Sequence, residues 1–194
     1  MDVLCRIQQS TDGKDKTLKL IQYSLRMTNI FYSTQPATKL ISGLSLGRRV
    51  LRLLHSIESI NQLLLQQKSS LNYSLVDSIL GCLSDLHDDL ALLIKLQVLS
   101  LKSAASIEYR SSVLWFTSCL INLKLMLANR PINSANAFIH SFSVNERVSL
   151  IKLIGDLCFS ACDVFDVKIP HLQTLAGFIS SIAACYKHVI KAKS

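Results

Sequence analysis

Apolar residues recur at three- and four-residue intervals along nearly the whole chain, the spacing of one face of a helix. That periodicity predicts helices over residues 13–32, 44–66, 73–103, 107–128, 144–166 and 170–190. Six glycines and three prolines leave few interruptions. The clearest break is Ala128 to Phe138, where Pro131 and a run of small polar residues predict a loop. Ser143 and Glu146 then have the spacing of a capping box that opens the next helix. Near the start, Asp12 is expected to cap the first helix, with Asp15 close behind it at the positive end of the helix dipole. The expected fold is all-α: a membrane-associated helical bundle with amphipathic helices and one or two weakly hydrophobic spans.

The most strongly sided segment runs from Leu44 to Leu65. At about 100° per residue, Leu46, Val50, Leu53, Leu54, Ile57, Ile60 and Leu64 fall within an arc of roughly 120°. Arg48, Arg52, His55, Ser59 and Gln62 take the opposite side, with Arg49 near the boundary. A large apolar face backed by arginines describes a helix lying in a membrane interface, or a core-facing helix of a soluble bundle. Residues 145–166 carry a narrower polar stripe of Ser149, Lys152, Asp156, Ser160 and Asp163, expected of a helix half buried in a bundle.

Two segments are candidate spans. Residues 169–186 run for eighteen positions without a charged residue and are followed by Lys187, Lys191 and Lys193. By the positive-inside rule those lysines place the C-terminus in the cytosol. Gly177, Ser180 and Ala184 set small residues along one face of it, which favours close helix packing. Residues 111–129 are the second candidate, with Trp115 near one end and Lys124 inside. The chain therefore divides into a basic N-terminal region, 1–68, carrying the amphipathic helix at about 44–66, and a helical membrane-associated region, 69–194, carrying the candidate spans.

Composition supports this division. Hydrophobic residues make up 49% of the 194 positions and charged residues only 18%, which argues against disorder. The mean hydropathy of +0.34 makes membrane contact a serious possibility. Of the net charge of +8, residues 1–68 hold ten Lys/Arg against four acids. A basic surface of that kind suits anionic lipid better than nucleic acid, because no zinc finger or aromatic-interleaved basic patch accompanies it. Asp2 and Arg6 interrupt the N-terminal apolar residues, so no signal peptide is expected there. The six cysteines, Cys5, Cys82, Cys119, Cys158, Cys162 and Cys185, lie in apolar stretches without a C-x-x-C and read as reduced core thiols.

Candidate chemistry is sparse. Gly13, Lys14, Lys16 and Thr17 imitate a phosphate-binding loop, but the second glycine and the preceding strand are absent. His87, Asp88 and Asp89 are consecutive, so on a helix they point about 100° apart and are expected on a solvated face rather than around a metal. No hydrolase, metalloprotease or dinucleotide-binding motif occurs. The expectation is a protein that is not an enzyme, with no cofactor, no metal, no nucleic acid and no small-molecule substrate.

The segment Thr11 to Tyr23, TDGKDKTLKLIQY, resembles the N-terminal signature of the peroxin-11 family of peroxisomal membrane proteins. Its matching residues are Asp12, Gly13, Lys14, Asp15, Lys16, Gln22 and Tyr23. Ser45 to Ile60 resembles the family's arginine-bearing amphipathic helix, and Ser111–Phe116, Leu153–Phe165 and Leu175–His188 are similar to its later blocks. The resemblance implies a protein of the peroxisomal (or glycosomal) membrane that promotes elongation, division and proliferation of the organelle. It implies insertion of the amphipathic helix into the cytosolic leaflet through Leu46, Arg48, Arg49, Val50, Arg52, Leu53, Leu54 and Ile57, with Ile60 on the same apolar arc. Implied partners are anionic peroxisomal lipids, further copies of the chain, and dynamin-type fission machinery with its adaptors. A pore-forming or metabolite-conducting membrane protein and a soluble helical binding module are the alternatives.

Overall fold

A computed structural model describes residues 10–53, 55–66, 73–100, 103–128 and 142–193. Asp2, Cys5, Arg6, Leu54, and all of the expected Ala128–Phe138 loop except Ala128 itself lie outside the described residues. The elements are α1 (Thr11–Phe31), α2 (Gln35–Leu51), α3 (His55–Gln66), α4 (Tyr73–Lys95), α5 (Ala104–Leu127), α6 (Val144–Val164) and α7 (Pro170–Lys193). The described residues contain no strand, so the all-α expectation holds.

Local chemistry explains most of the helix ends. Ser10, not Asp12, caps α1: its Oγ accepts the Gly13 N–H at 3.0 Å. Asp12 lies in the first turn and pairs with Lys16 Nζ at 2.9 Å. The capping box at α6 is present, with Ser143 Oγ accepting from the Glu146 N–H and the Glu146 carboxylate accepting from the Ser143 N–H at 2.8 Å. Helix α4 stops at Lys95, eight residues before its expected end. There Gln97 turns into the left-handed region at φ 60°, and the Val98 N–H closes onto the Leu93 carbonyl at 3.0 Å.

The expected single helix over 44–66 is instead two. Helix α2 starts earlier, with Pro36 in its first turn, and ends where the Arg52 N–H reaches the carbonyls of Arg48 and Arg49 at 3.2 Å each. Each half answers to a different neighbour. Helix α2 is drawn to α1 through Arg48 and Asp15, whereas Ser56 and Ser59 of α3 donate to Asp89 and Asp85 of α4 at 2.6 and 2.7 Å. One straight rod cannot satisfy both.

The helices close into a ring. Helix α1 packs on α2 and α7, α7 on α6, α6 on α5 and α5 on α4, while α4 reaches back to α2 and carries α3. Their polar faces are turned inward. Ser160, Ser180 and Ser181 are fully buried and Asp15, Gln22 and Asp156 nearly so, while Ile79, Leu120, Ile151, Ile154, Leu175 and Ile182 are exposed. This reverses the expectation for α6, whose polar stripe of Lys152, Asp156 and Ser160 faces the ring interior rather than solvent. It also moves Asp88 and Asp89, expected on a solvated face, into helix contacts with Ser111 and Ser56. Cys158, expected among core thiols, is exposed; all five described cysteines are free.

The candidate spans 111–129 and 169–186 fall on α5 and α7. Among the described residues, no helix is long and apolar enough to cross a membrane.

Candidate functional site

Within the ring lies a cavity of about 550 Å³, and all six ring helices contribute side chains to it. Its lining is dominated by charge, which follows from the inward polar faces. Two carboxylates organise one wall. Asp15 of α1, whose side chain is 3% exposed, accepts from Arg48 Nε of α2 at 3.0 Å, with Lys16 Nζ at 3.5 Å and Arg52 Nε at 3.9 Å. Arg48 Nη1 also donates to Gln22 Oε1 at 2.8 Å. Asp156 of α6 receives Lys19 Nζ at 3.2 Å, Lys152 Nζ at 2.8 Å and the Ser180 hydroxyl of α7.

The electrostatics follow from this sharing. Burial alone would raise the Asp156 carboxyl, but Lys19 and Lys152 outweigh it and hold the group below the usual carboxylate range. Burial likewise holds the Lys19 ammonium below its ordinary value; Asp156 offsets this and Lys152 and Arg48 reinforce it. For Arg48, too, burial depresses the pKa against the opposing pull of Asp15. Among the described residues no buried side-chain nitrogen or oxygen lacks a hydrogen-bond partner.

Aromatic contacts join α1 and α5 to α6. The Tyr23 ring meets Phe159 edge-on with centroids 6.0 Å apart, and Trp115 lies 6.0 Å from the same Phe159. Tyr23 also lies directly on the backbone of Gly177, where an added methyl group would overlap the ring. Helices α6 and α7 also approach closely at Gly155, where a Cβ would fall 2.9 Å from the Ala176 carbonyl oxygen.

The residues singled out from sequence therefore separate into two sets. Asp15, Gln22 and Tyr23 of the N-terminal signature are buried and meet Arg48, Phe159 and Gly177 from the later segments. Gly13 is buried at the start of α1, where its carbonyl accepts from Thr17 Oγ1 at 2.9 Å. Lys14 is exposed. In the amphipathic segment, Leu46, Val50 and Ile57 are 44%, 47% and 59% exposed, and Ile60 faces outward beside them. Leu53 lies in the turn between α2 and α3. The arginines do not share an open polar face as expected. Arg48 is turned inward and 12% exposed, and Arg49 pairs with Glu108 of α5, which Lys95 also reaches at 2.6 Å. Arg52 is the most open of the three at 42%. Sequence reasoning missed Lys19 as an interior group, Glu108 as the partner of Arg49, and the hydrogen bonds of Ser180 to Lys19 and Asp156. Their positions along the helices were visible, but not which face the bundle would enclose.

The described residues hold no group of three metal-ligating side chains. Many of the residues in the cavity are acids, bases and hydroxyls whose pairs join one helix to another.

Neither a comparison with curated proteins nor one with solved structures finds a match. The family model of peroxisomal biogenesis factor 11 (PEX11) matches residues 1–134, more than two thirds of the chain. That span includes the signature of α1, the arginines of α2, and the α4 and α5 walls of the cavity. The chain belongs to the peroxisomal biogenesis factor 11 family.

Proposed function

We propose that this peroxisome biogenesis factor acts by remodelling the peroxisomal membrane, with the outer faces of α2 and α3 entering the cytosolic leaflet. The observation that carries the reading is the exposure of the apolar side chains Leu46, Val50, Ile57, Ile60 and Leu64, while Arg48 of the same segment turns inward. Half-exposed aliphatic side chains each contribute on the order of 1 kcal/mol when they leave water. Several together hold a helix at an interface, and wedging of one leaflet bends the bilayer. In this reading Arg48 and Arg49 do not contact lipid headgroups. They hold α2 on the bundle, so the wedge is carried by a folded body rather than a free peptide. Self-association and recruitment of dynamin-type fission machinery through its adaptors would extend local bending to elongation and division. The role is non-catalytic.

The test is addition of the purified full chain to anionic liposomes, read by electron microscopy. Tubules are expected with the native sequence and round vesicles with Leu46→Asp/Val50→Asp/Ile57→Asp. Equal tubulation by both would remove the wedge from the mechanism. A metabolite-conducting role draws its support from the polar cavity enclosed by six helices. Planar-bilayer conductance that persists in the triple variant would favour that second reading.

A further inference from the structure

Five cations of the cavity wall, Lys16, Lys19, Arg48, Arg52 and Lys152, surround the lining carboxylates Asp15 and Asp156, with Lys16 nearer still to Asp12. Asp15 and Lys19 are one turn apart on α1, so the two clusters stand next to each other on the same inward face. The opposite wall makes up part of the difference. Asp85 and Asp88 of α4 accept from the hydroxyls of Ser59 and Ser111 at 2.7 Å each and keep their negative charge, and with Asp163 they bring the whole lining to seven cations against five carboxylates. The wall of α1, α2 and α6 therefore keeps an excess of positive charge in a cavity whose volume lies within the range of about 300–1,000 Å³ found for small-molecule sites.

We propose that this cationic wall is a binding site for a phosphate group, seated between the Asp15 and Asp156 clusters and held by Arg52, Arg48 and Lys152. The chemistry selects phosphate. A guanidinium presents five donors in a planar fork that matches phosphate oxygens, and Arg48 has only two of its nitrogens engaged by Asp15 and Gln22. Ammonium groups such as Lys152 add compact charge beside it. A dianion offsets the excess of two positive charges that the lining as a whole carries. It also relieves the mutual repulsion that, together with burial, depresses Lys19 and Arg48. Walls drawn from separate helices leave no sequence motif, and the expectation of no small-molecule substrate rested on motifs alone. The phosphate can belong to a soluble phosphoester or to a lipid headgroup. Binding does not rest on membrane bending, and tubulation is scored separately.

The experiment uses the full chain in uncharged detergent. Thermal unfolding and calorimetric titration are run with inorganic phosphate against chloride at matched ionic strength, and then in phosphatidylcholine bicelles with and without phosphatidic acid. Saturable stabilisation by phosphate supports the site and points to a soluble source. Stabilisation by phosphatidic acid alone supports it and points to a headgroup. Arg52→Gln/Lys152→Gln leaves Asp15 paired with Arg48 and Asp156 with Lys19, so the ring keeps its ties, and binding is expected to weaken by about tenfold or more. If the double variant does not fold, Arg52→Gln alone, at a partly exposed side chain, carries the comparison. No saturable effect from either ligand, or equal binding by native and variant chains, overturns the proposal.

Discussion

Arg48 Nε donates to the Asp15 carboxylate at 3.0 Å, tying α2 to α1 across thirty-three positions of sequence. The pair joins the two most distinctive segments of the chain, and both side chains are almost wholly withdrawn from water. Breaking such a pair from one side strands the other charge, at a cost of about 3–5 kcal/mol. Asp15→Ala is expected to fall in that range in chemical unfolding, because it removes the carboxylate shared by Arg48, Lys16 and Arg52. Arg48→Ala should cost less, since Lys16 and Arg52 remain beside Asp15. If Asp15→Ala is as stable as the native chain, the contact is not a structural tie.

The same geometry separates folding from membrane contact. Val50 and Ile57 are exposed, so Val50→Asp and Ile57→Asp are expected to leave the unfolding midpoint within about 0.5 kcal/mol while reducing liposome co-sedimentation. Arg48→Ala should do the reverse, lowering stability with little added dependence of lipid binding on salt. A strongly salt-dependent defect in Arg48→Ala would return that arginine to the lipid surface.

Gly177 has no room for a side chain because Tyr23 occupies the space. Gly177→Ala is expected to destabilise by about 1–3 kcal/mol through overpacking. Combining it with Tyr23→Leu should cost less than the sum of the single changes, a coupling that a double-mutant cycle measures. Strict additivity would mean that the two residues do not touch.

Acid should loosen the ring at Asp156. Its folded pKa lies below the ordinary value, so its stabilising contribution is present above about pH 3.9 and is lost as pH falls through the lower folded value. The melting temperature of the native chain is expected to drop steeply below about pH 4. Asp156→Asn, which leaves Lys19 and Lys152 without their carboxylate, should melt lower at neutral pH and show a flatter acid limb. Parallel acid limbs in the two proteins would exclude this carboxylate as the cause.

Periodicity alone located α1, α5, α6 and α7 to within about three residues at each end, and the Ser143–Glu146 capping box was legible residue by residue, because capping and apolar spacing are local properties. The division at Arg52–Leu53 was not legible, because it depends on Asp15 and Asp89 drawing the two halves toward different helices. The direction of the polar faces was likewise hidden. A sided helix such as α6 has the same pattern whether its apolar face looks inward or outward, and only the mutual pairing of Lys19, Asp156 and Ser180 decides it. Cavity walls built from α1, α2 and α6 leave no motif at any one place in the chain.

Closure of the ring also sets the order in which the molecule can be made. The Lys19 ammonium finds the Ser180 hydroxyl at 2.9 Å, across 161 positions. Individual helices form in microseconds, but a contact of that span must await the last helix and the slow search that joins distant parts of a chain. During synthesis α1 therefore emerges long before its partner exists, and Tyr23 has no Gly177 to rest on. Closure of the ring waits on α7, and the nascent N-terminal half is the stage most open to capture by chaperones or to aggregation.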